Sequence, residues 1–257
     1  MEKCSASKIP FNKESLTNDN ENSGQKYPYR EAIGTLQYLS TCTRPDIAFA
    51  VNYLSRFLEN PTLSHWRAIL KLLKYIQGTQ HLAIYYEVNA ENEDSAENDV
   101  DMKIEVSAEK EDSAELEGYS DADFANDEDR KSISGICVKY KGCIVSWKSK
   151  KQPIVALSST EAELIASTEV VKQIIWLNKI ISELTGKISV PTIYVDNLST
   201  IRLIKNNEGL KKTKHVEIRF LYIRQLYQEG KIKVSFVRSK YQLADLLCQA
   251  AVGFNEH

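Results

Sequence analysis

Gly118-Tyr119-Ser120-Asp121-Ala122-Asp123-Phe124-Ala125 marks the point where the chain changes character. Before it runs a strongly acidic segment. After it, isolated carboxylates stand among apolar or small residues, and Glu163, Asp196 and Asp245 make a set of four with Asp121. The stretch from residue 118 to about 124 reads as a strand, and Ile133 to Tyr140 and Cys143 to Trp147 read as two more, the last continuing near Ile154. Lys141-Gly142 joins them as a tight antiparallel turn. Ser159 or Thr160 caps a long helix that runs to about Leu184 and stops at Gly186. Thr192 to Val195 is a short buried strand leading into a helix after Asp196. A helix over about 214–229 carries Val216, Phe220, Ile223 and Tyr227 on one face, and a strand from Lys231 to Val237 and a short helix from Tyr241 follow. Three antiparallel strands, then helix, strand, helices, strand and helix, predict an α/β fold: a mixed sheet with helices on both faces.

In such a sheet, functional groups collect at the carboxyl ends of the strands, where Asp121 and Asp196 sit. The long helix offers two glutamates. At about 100° per residue, Glu163 heads a stripe continued by Ala166, Val170, Ile174, Leu177 and Ile181, whereas Glu161 aligns with Lys172 and Lys179 on the opposite face. An acid at the head of a buried stripe needs a partner, because an unpaired buried charge is costly. A metal ion supplies one; so does capping of the helix N-terminus. The residues alone leave both open. Asp245, in Gln242-Leu243-Ala244-Asp245-Leu246-Leu247, taken alone is an ordinary acid at a helix start.

Upstream, residues 1–28 are polar and lack periodicity, so little order is expected there. Residues 29–86 read as a small helical unit, with helices over about 29–41, 46–59 and 62–77 and a strand at Leu82 to Tyr86. Residues 87–117 read as an acidic linker, with 13 acidic and 2 basic residues, and residues 118–253 as the α/β domain. From Gly118 onward 21 Lys or Arg face 15 Asp or Glu, a balance that suits a phosphate-bearing partner and equally suits plain solubility. Five cysteines without a paired Cys-x-x-Cys spacing predict reduced, mostly buried thiols and no structural zinc. No apolar run has the length of a membrane span, and the first residues lack a secretory signal, so an intracellular location is expected.

Several segments together resemble a known family. They are the opening stretch, Arg130-Lys131-Ser132-Ile133-Ser134-Gly135, Ser146-Trp147-Lys148-Ser149-Lys150-Lys151-Gln152-Pro153, Ala156 to Glu163, Tyr194-Val195-Asp196-Asn197, Thr213-Lys214-His215 and Gln242-Leu243-Ala244-Asp245. In this order they resemble the ribonuclease H domain of copia-type retrotransposon polyproteins. Ile33 to Leu39 and Thr43 to Ile47 are similar to the end of the reverse transcriptase that precedes it. The resemblance implies a ribonuclease H-like five-stranded sheet in which Asp121, Glu163, Asp196 and Asp245 bind two Mg²⁺ or Mn²⁺ ions. It also implies cleavage of the RNA strand of an RNA-DNA hybrid, with a reverse transcriptase as a separately supplied partner. Trp147, Lys148, Lys150, Lys151 and His215 become candidate nucleic-acid contacts. Two departures from the family pattern stand out: Asn197 occupies the second aspartate position of a Tyr-x-Asp-Asp-like motif, and Cys248-Gln249 stand where a Thr-Lys pair is common. The Asp, Glu, Asp, Asp order disfavours an integrase-type nuclease, in which the glutamate comes last. A second reading is a transposon-derived fragment that folds and binds nucleic acid without turnover.

Overall fold

The first strand begins two residues before the expected point, at a residue the linker was expected to contain: β1 spans Leu116–Asp123, and Leu116 is wholly buried. The computed structural model describes residues 7–13, 16, 27–86, 115–127, 129–206 and 214–249. The rest of the expected linker, and most of residues 1–28, lie outside them.

β1 pairs antiparallel with β2 (Ile133–Tyr140), which pairs antiparallel with β3 (Cys143–Lys151). Lys141 and Gly142, with φ of 49° and 82°, form the tight turn between them, and glycine takes the second position without a Cβ penalty. On the other side of β1 lie β4 (Thr192–Val195) and β5 (Lys233–Phe236), both parallel. The order β3-β2-β1-β4-β5 makes the mixed five-stranded sheet that the resemblance implies.

Helices cover both faces. On one, α4 (Ser159–Thr185) packs on β1 and β2, with α5 (Leu198–Lys205) and α6 (Lys214–Gln228) beside it. Val170, Val171 and Ile174 of α4 meet Leu116, Ile136, Val138, Ile193 and Val234 of the sheet in one apolar core. On the other face lies the short α7 (Asp245–Cys248), backed by α2 (Ala48–Leu54), which packs in turn with the other N-terminal helices, α1 (Tyr29–Cys42) and α3 (Leu63–Gly78).

These three helices gather their own core around Ile33, Leu36, Leu54, Ile69 and Leu72, and Ile133 of β2 joins it. Ala48 of α2 packs with Tyr119, Cys137, Ala244 and Leu247, so the helical segment touches the element that carries Asp245. The expected single helix over 46–59 is instead α2 between two 3-10 turns, Pro45–Ile47 and Ser55–Phe57. The expected strand at Leu82 to Tyr86 is irregular. Its tyrosines are exposed, and among the described residues its backbone joins no sheet. Of the four described cysteines, Cys137 and Cys248 are buried, Cys42 is exposed and Cys143 lies between, so the expectation of mostly buried thiols holds for half of them. Among the described residues no helix is long and apolar enough to cross a membrane.

Candidate metal centre

Parallel register brings the first two acids together. Tyr119 of β1 is level with Tyr194 of β4, and their rings stack at 4.9 Å. Asp121 and Asp196 each lie two residues further on, and a carboxylate oxygen of one comes within 4.8 Å of one of the other. Asp196 has left the strand, and Ser239 donates a hydrogen bond of 3.0 Å to its Oδ2. Asn197, the departure from the Tyr-x-Asp-Asp pattern, accepts from the backbone N–H groups of Ser199 and Thr200 and so caps α5.

The choice between the two glutamates resolves through their hydrogen bonds. Ser158, one residue before the expected cap, accepts from the Glu161 N–H, and Glu161 Oε2 accepts from the Leu157 N–H at 3.1 Å. Capping therefore falls to Glu161. Glu161 is only 3% exposed, contrary to its expected place on an outward face, because residues 161–168 of α4 are buried all round. Glu163, 6% exposed, accepts from the Ala122 N–H at 3.1 Å through Oε1, while its buried Oε2 has no hydrogen-bond partner.

Asp245 reaches the same place from the opposite face. Gln242, buried, donates to the Ser120 carbonyl at 3.0 Å and accepts from the Ala244 N–H, fixing the turn before α7. Gly135, the β2 partner of Asp121, leaves room for the Ala244 backbone. One oxygen each from Asp121, Glu163 and Asp196 lie within 4.8 Å of one another, and so do ligand atoms of Asp121, Asp245 and Cys248. Asp121 belongs to both groups. Asp121, Asp123, Asp196 and Asp245 line a cleft of about 340 Å³ together with Phe124, Ser239, Cys248 and Gln249.

Crowding of buried acids disfavours their charged forms. Burial, with Asp121 and Asp196 nearby, pushes Glu163 up to about 10. Burial and Asp121 push Asp245 up to about 6. Asp196 is raised by burial and by Asp121, and Asp123 chiefly by burial. The Cys248 thiol is raised as well, by burial first and then by Asp121. An arrangement that so resists negative charge is one that a divalent cation relieves.

The other candidates are placed differently. Trp147 turns toward the helical segment, its indole N–H donating to the Ser40 carbonyl at 2.6 Å. Lys151 pairs with Asp127 at 2.6 Å and Asp129 at 2.9 Å. Lys148 and Lys150 are exposed on β3, Lys150 lying 3.7 Å from Glu169 of α4. His215 is in the first turn of α6, and its side chain lies outside the described residues. Cys248 and Ser239 are among the pocket residues that escaped the sequence reading of the site. Cys248 follows Asp245 by three positions, a helical spacing that signals a shared face; Ser239 carries no such signal.

Scanned against models of known protein families, the chain matches none. It is 38% identical over 223 residues to the retrovirus-related Pol polyprotein from transposon TNT 1-94 of Nicotiana tabacum, covering 86% of the chain and 15% of that polyprotein. It is 40% identical over 151 residues to the secreted RxLR effector protein 161 of Plasmopara viticola, covering 58% of the chain and 91% of that protein. Among solved structures, a ribonuclease H1 isolated from compost aligns with a TM-score of 0.41 and 14% identity, over 52% of the chain and 93% of that structure.

Proposed function

Because the chain belongs to the family of copia-type retrovirus-related Pol polyproteins, we propose that its carboxylate pocket is the hydrolytic centre of a ribonuclease H acting on the RNA strand of RNA-DNA hybrids. The observation that carries this reading is the position of Asp121, shared by two groups of ligand atoms beside the unpartnered Oε2 of Glu163. A bare carboxylate oxygen buried among other acids fits a hard divalent cation such as Mg²⁺ or Mn²⁺. Asp121, Glu163 and Asp196 would hold one ion, and Asp121 with Asp245 a second. When bound, such ions supply Lewis acidity for activating water and for stabilising charge on the leaving oxygen.

The chain's own groups prepare the site. The Ala122 N–H orients Glu163, the Ser239 hydroxyl orients Asp196, and Gln242 sets the turn from which Asp245 projects. Lys148 and Lys150, exposed on β3, meet backbone phosphates, a contact that positions a duplex without reading its sequence. His215, in the first turn of α6, serves a phosphate contact or proton movement in the same reading. Preference for a hybrid then rests on groove shape and 2′-hydroxyls, and a separately supplied reverse transcriptase is the source of that hybrid.

The test is digestion of a labelled RNA-DNA hybrid in Mg²⁺ or Mn²⁺ by the full chain and by Asp196→Asn. The full chain is expected to cut the RNA strand, and the variant to be slower by at least about 100-fold. Equal cutting by both overturns the assignment. A chain that binds cation and hybrid yet cuts neither strand gives the non-catalytic reading instead.

A further inference from the structure

The two groups that share Asp121 are chemically unlike. Asp121, Glu163 and Asp196 offer oxygen alone, whereas Asp121 and Asp245 are joined by the sulfur of Cys248. Cys248 Sγ donates to Asp121 Oδ2 at 2.9 Å and lies 3.2 Å from the Asp245 carbonyl oxygen. The thiol is buried but lines the cleft. Independently of the cysteine, the Oε2 of Glu163, buried and without a hydrogen-bond partner, belongs to the adjoining acid group that shares Asp121 with this one.

Magnesium takes all-oxygen surroundings, while zinc and cobalt accept thiolate readily. We propose that Asp121, Asp245 and Cys248 form a thiophilic-metal site that takes Zn²⁺ or Co²⁺ in preference to Mg²⁺, with the Cys248 sulfur as a direct ligand. The proposal rests on the reading of the pocket as a cation centre and goes beyond it by giving its two halves different metal preferences. As the ion binds, the Sγ–H bond breaks, the Sγ–metal bond forms and the proton passes to solvent. The hydrogen bond from Sγ to Asp121 is given up, which frees that oxygen for the ion. Because Asp121 serves both halves, zinc held by the sulfur half competes for a ligand that the all-oxygen half needs. Free zinc is thereby an inhibitor of the proposed nuclease.

The experiment is titration of the reduced full chain with Co²⁺, followed by absorption, beside calorimetric titration with Mn²⁺. A sulfur-to-cobalt charge-transfer band is expected in the near ultraviolet, displaced by added Zn²⁺. Cys248→Ser removes the band and weakens Zn²⁺ binding by at least about tenfold. Asp245→Asn keeps the thiol and weakens the band, so the result does not hang on one variant folding. A band that survives in Cys248→Ser overturns the proposal. So does a chain that binds Mn²⁺ but shows no band, and then the carboxylate reading stands. A chain that binds neither ion overturns both.

Discussion

The carbonyl oxygen of Ala244 lies 2.1 Å from where a Cβ on Gly135 would stand. No side chain fits that gap, so the bare backbone of β2 is what allows α7 to lie against the sheet beside Asp121. Gly135→Ala is expected to lift Ala244 and, with it, Asp245. Overpacking of this kind costs about 1–3 kcal/mol. Mn²⁺ affinity, read by calorimetry, is expected to fall by about 10- to 100-fold, and hybrid cleavage with it. Unchanged Mn²⁺ affinity would show that other contacts seat α7.

Glu163 and Asp245 make stability depend on pH in a definite direction. Their folded values, about 10 and about 6, lie above the ordinary carboxylate range. A carboxyl raised in this way binds its proton more tightly when folded. Its contribution is fully present below the unfolded value and is lost as pH rises through the folded one. In chelator, the melting temperature is expected to fall from about pH 4 to about pH 6 through Asp245, and further toward about pH 10 through Glu163. Glu163→Gln is expected to flatten the upper limb and, at pH 8, to raise the melting temperature of the cation-free protein by about 2–4 °C. It should also remove most of the stabilisation given by added Mg²⁺. A steeper slope in the variant would contradict this origin.

Asp127 ties the helical segment to the sheet. It accepts from Arg56 at 2.5 Å and pairs with Lys151 of β3 at 2.6 Å. Removal of one partner from a buried pair costs about 3–5 kcal/mol, and partial exposure of both cations reduces that here to about 2 kcal/mol. Asp127→Ala is therefore expected to lower the melting temperature by about 4–8 °C. A companion change, Trp147→Phe, deletes the hydrogen bond to Ser40 and is expected to cost about 1 kcal/mol. Thermal denaturation checks both, and shifts within error in both variants would show that the two layers are held by apolar packing alone.

Much of the fold was legible because its signals are local. Apolar runs bounded by turn residues placed β2 and β4 at their observed limits, and Gly186 placed the end of α4 to within a residue. The burial of Glu163 was legible through helical phase, since the stripe it heads faces the sheet. Glu161 was misplaced because phase describes a helix lying on a surface, whereas the first turns of α4 are enclosed on all sides. Leu82 to Tyr86 has the composition of a strand but pairs with no strand among the described residues, and pairing is a tertiary property. The meeting of Asp245 with Asp121 depends on Gly135, which is far in sequence from Asp245, and no periodicity reports such an approach. Cys248 entered the sequence reading only as a departure from a family pattern; its contact with Asp121 came from the fold.

The central claim is that four acids distant in sequence share one cation-binding pocket centred on Asp121. Its most direct test is a crystal of the full chain grown with Mn²⁺, with anomalous scattering recorded at the manganese edge. The expected result is manganese density touching Asp121 together with Glu163, Asp196 or Asp245. Density elsewhere, or carboxylates of Glu163 and Asp245 turned away from Asp121 with no manganese between them, would contradict it.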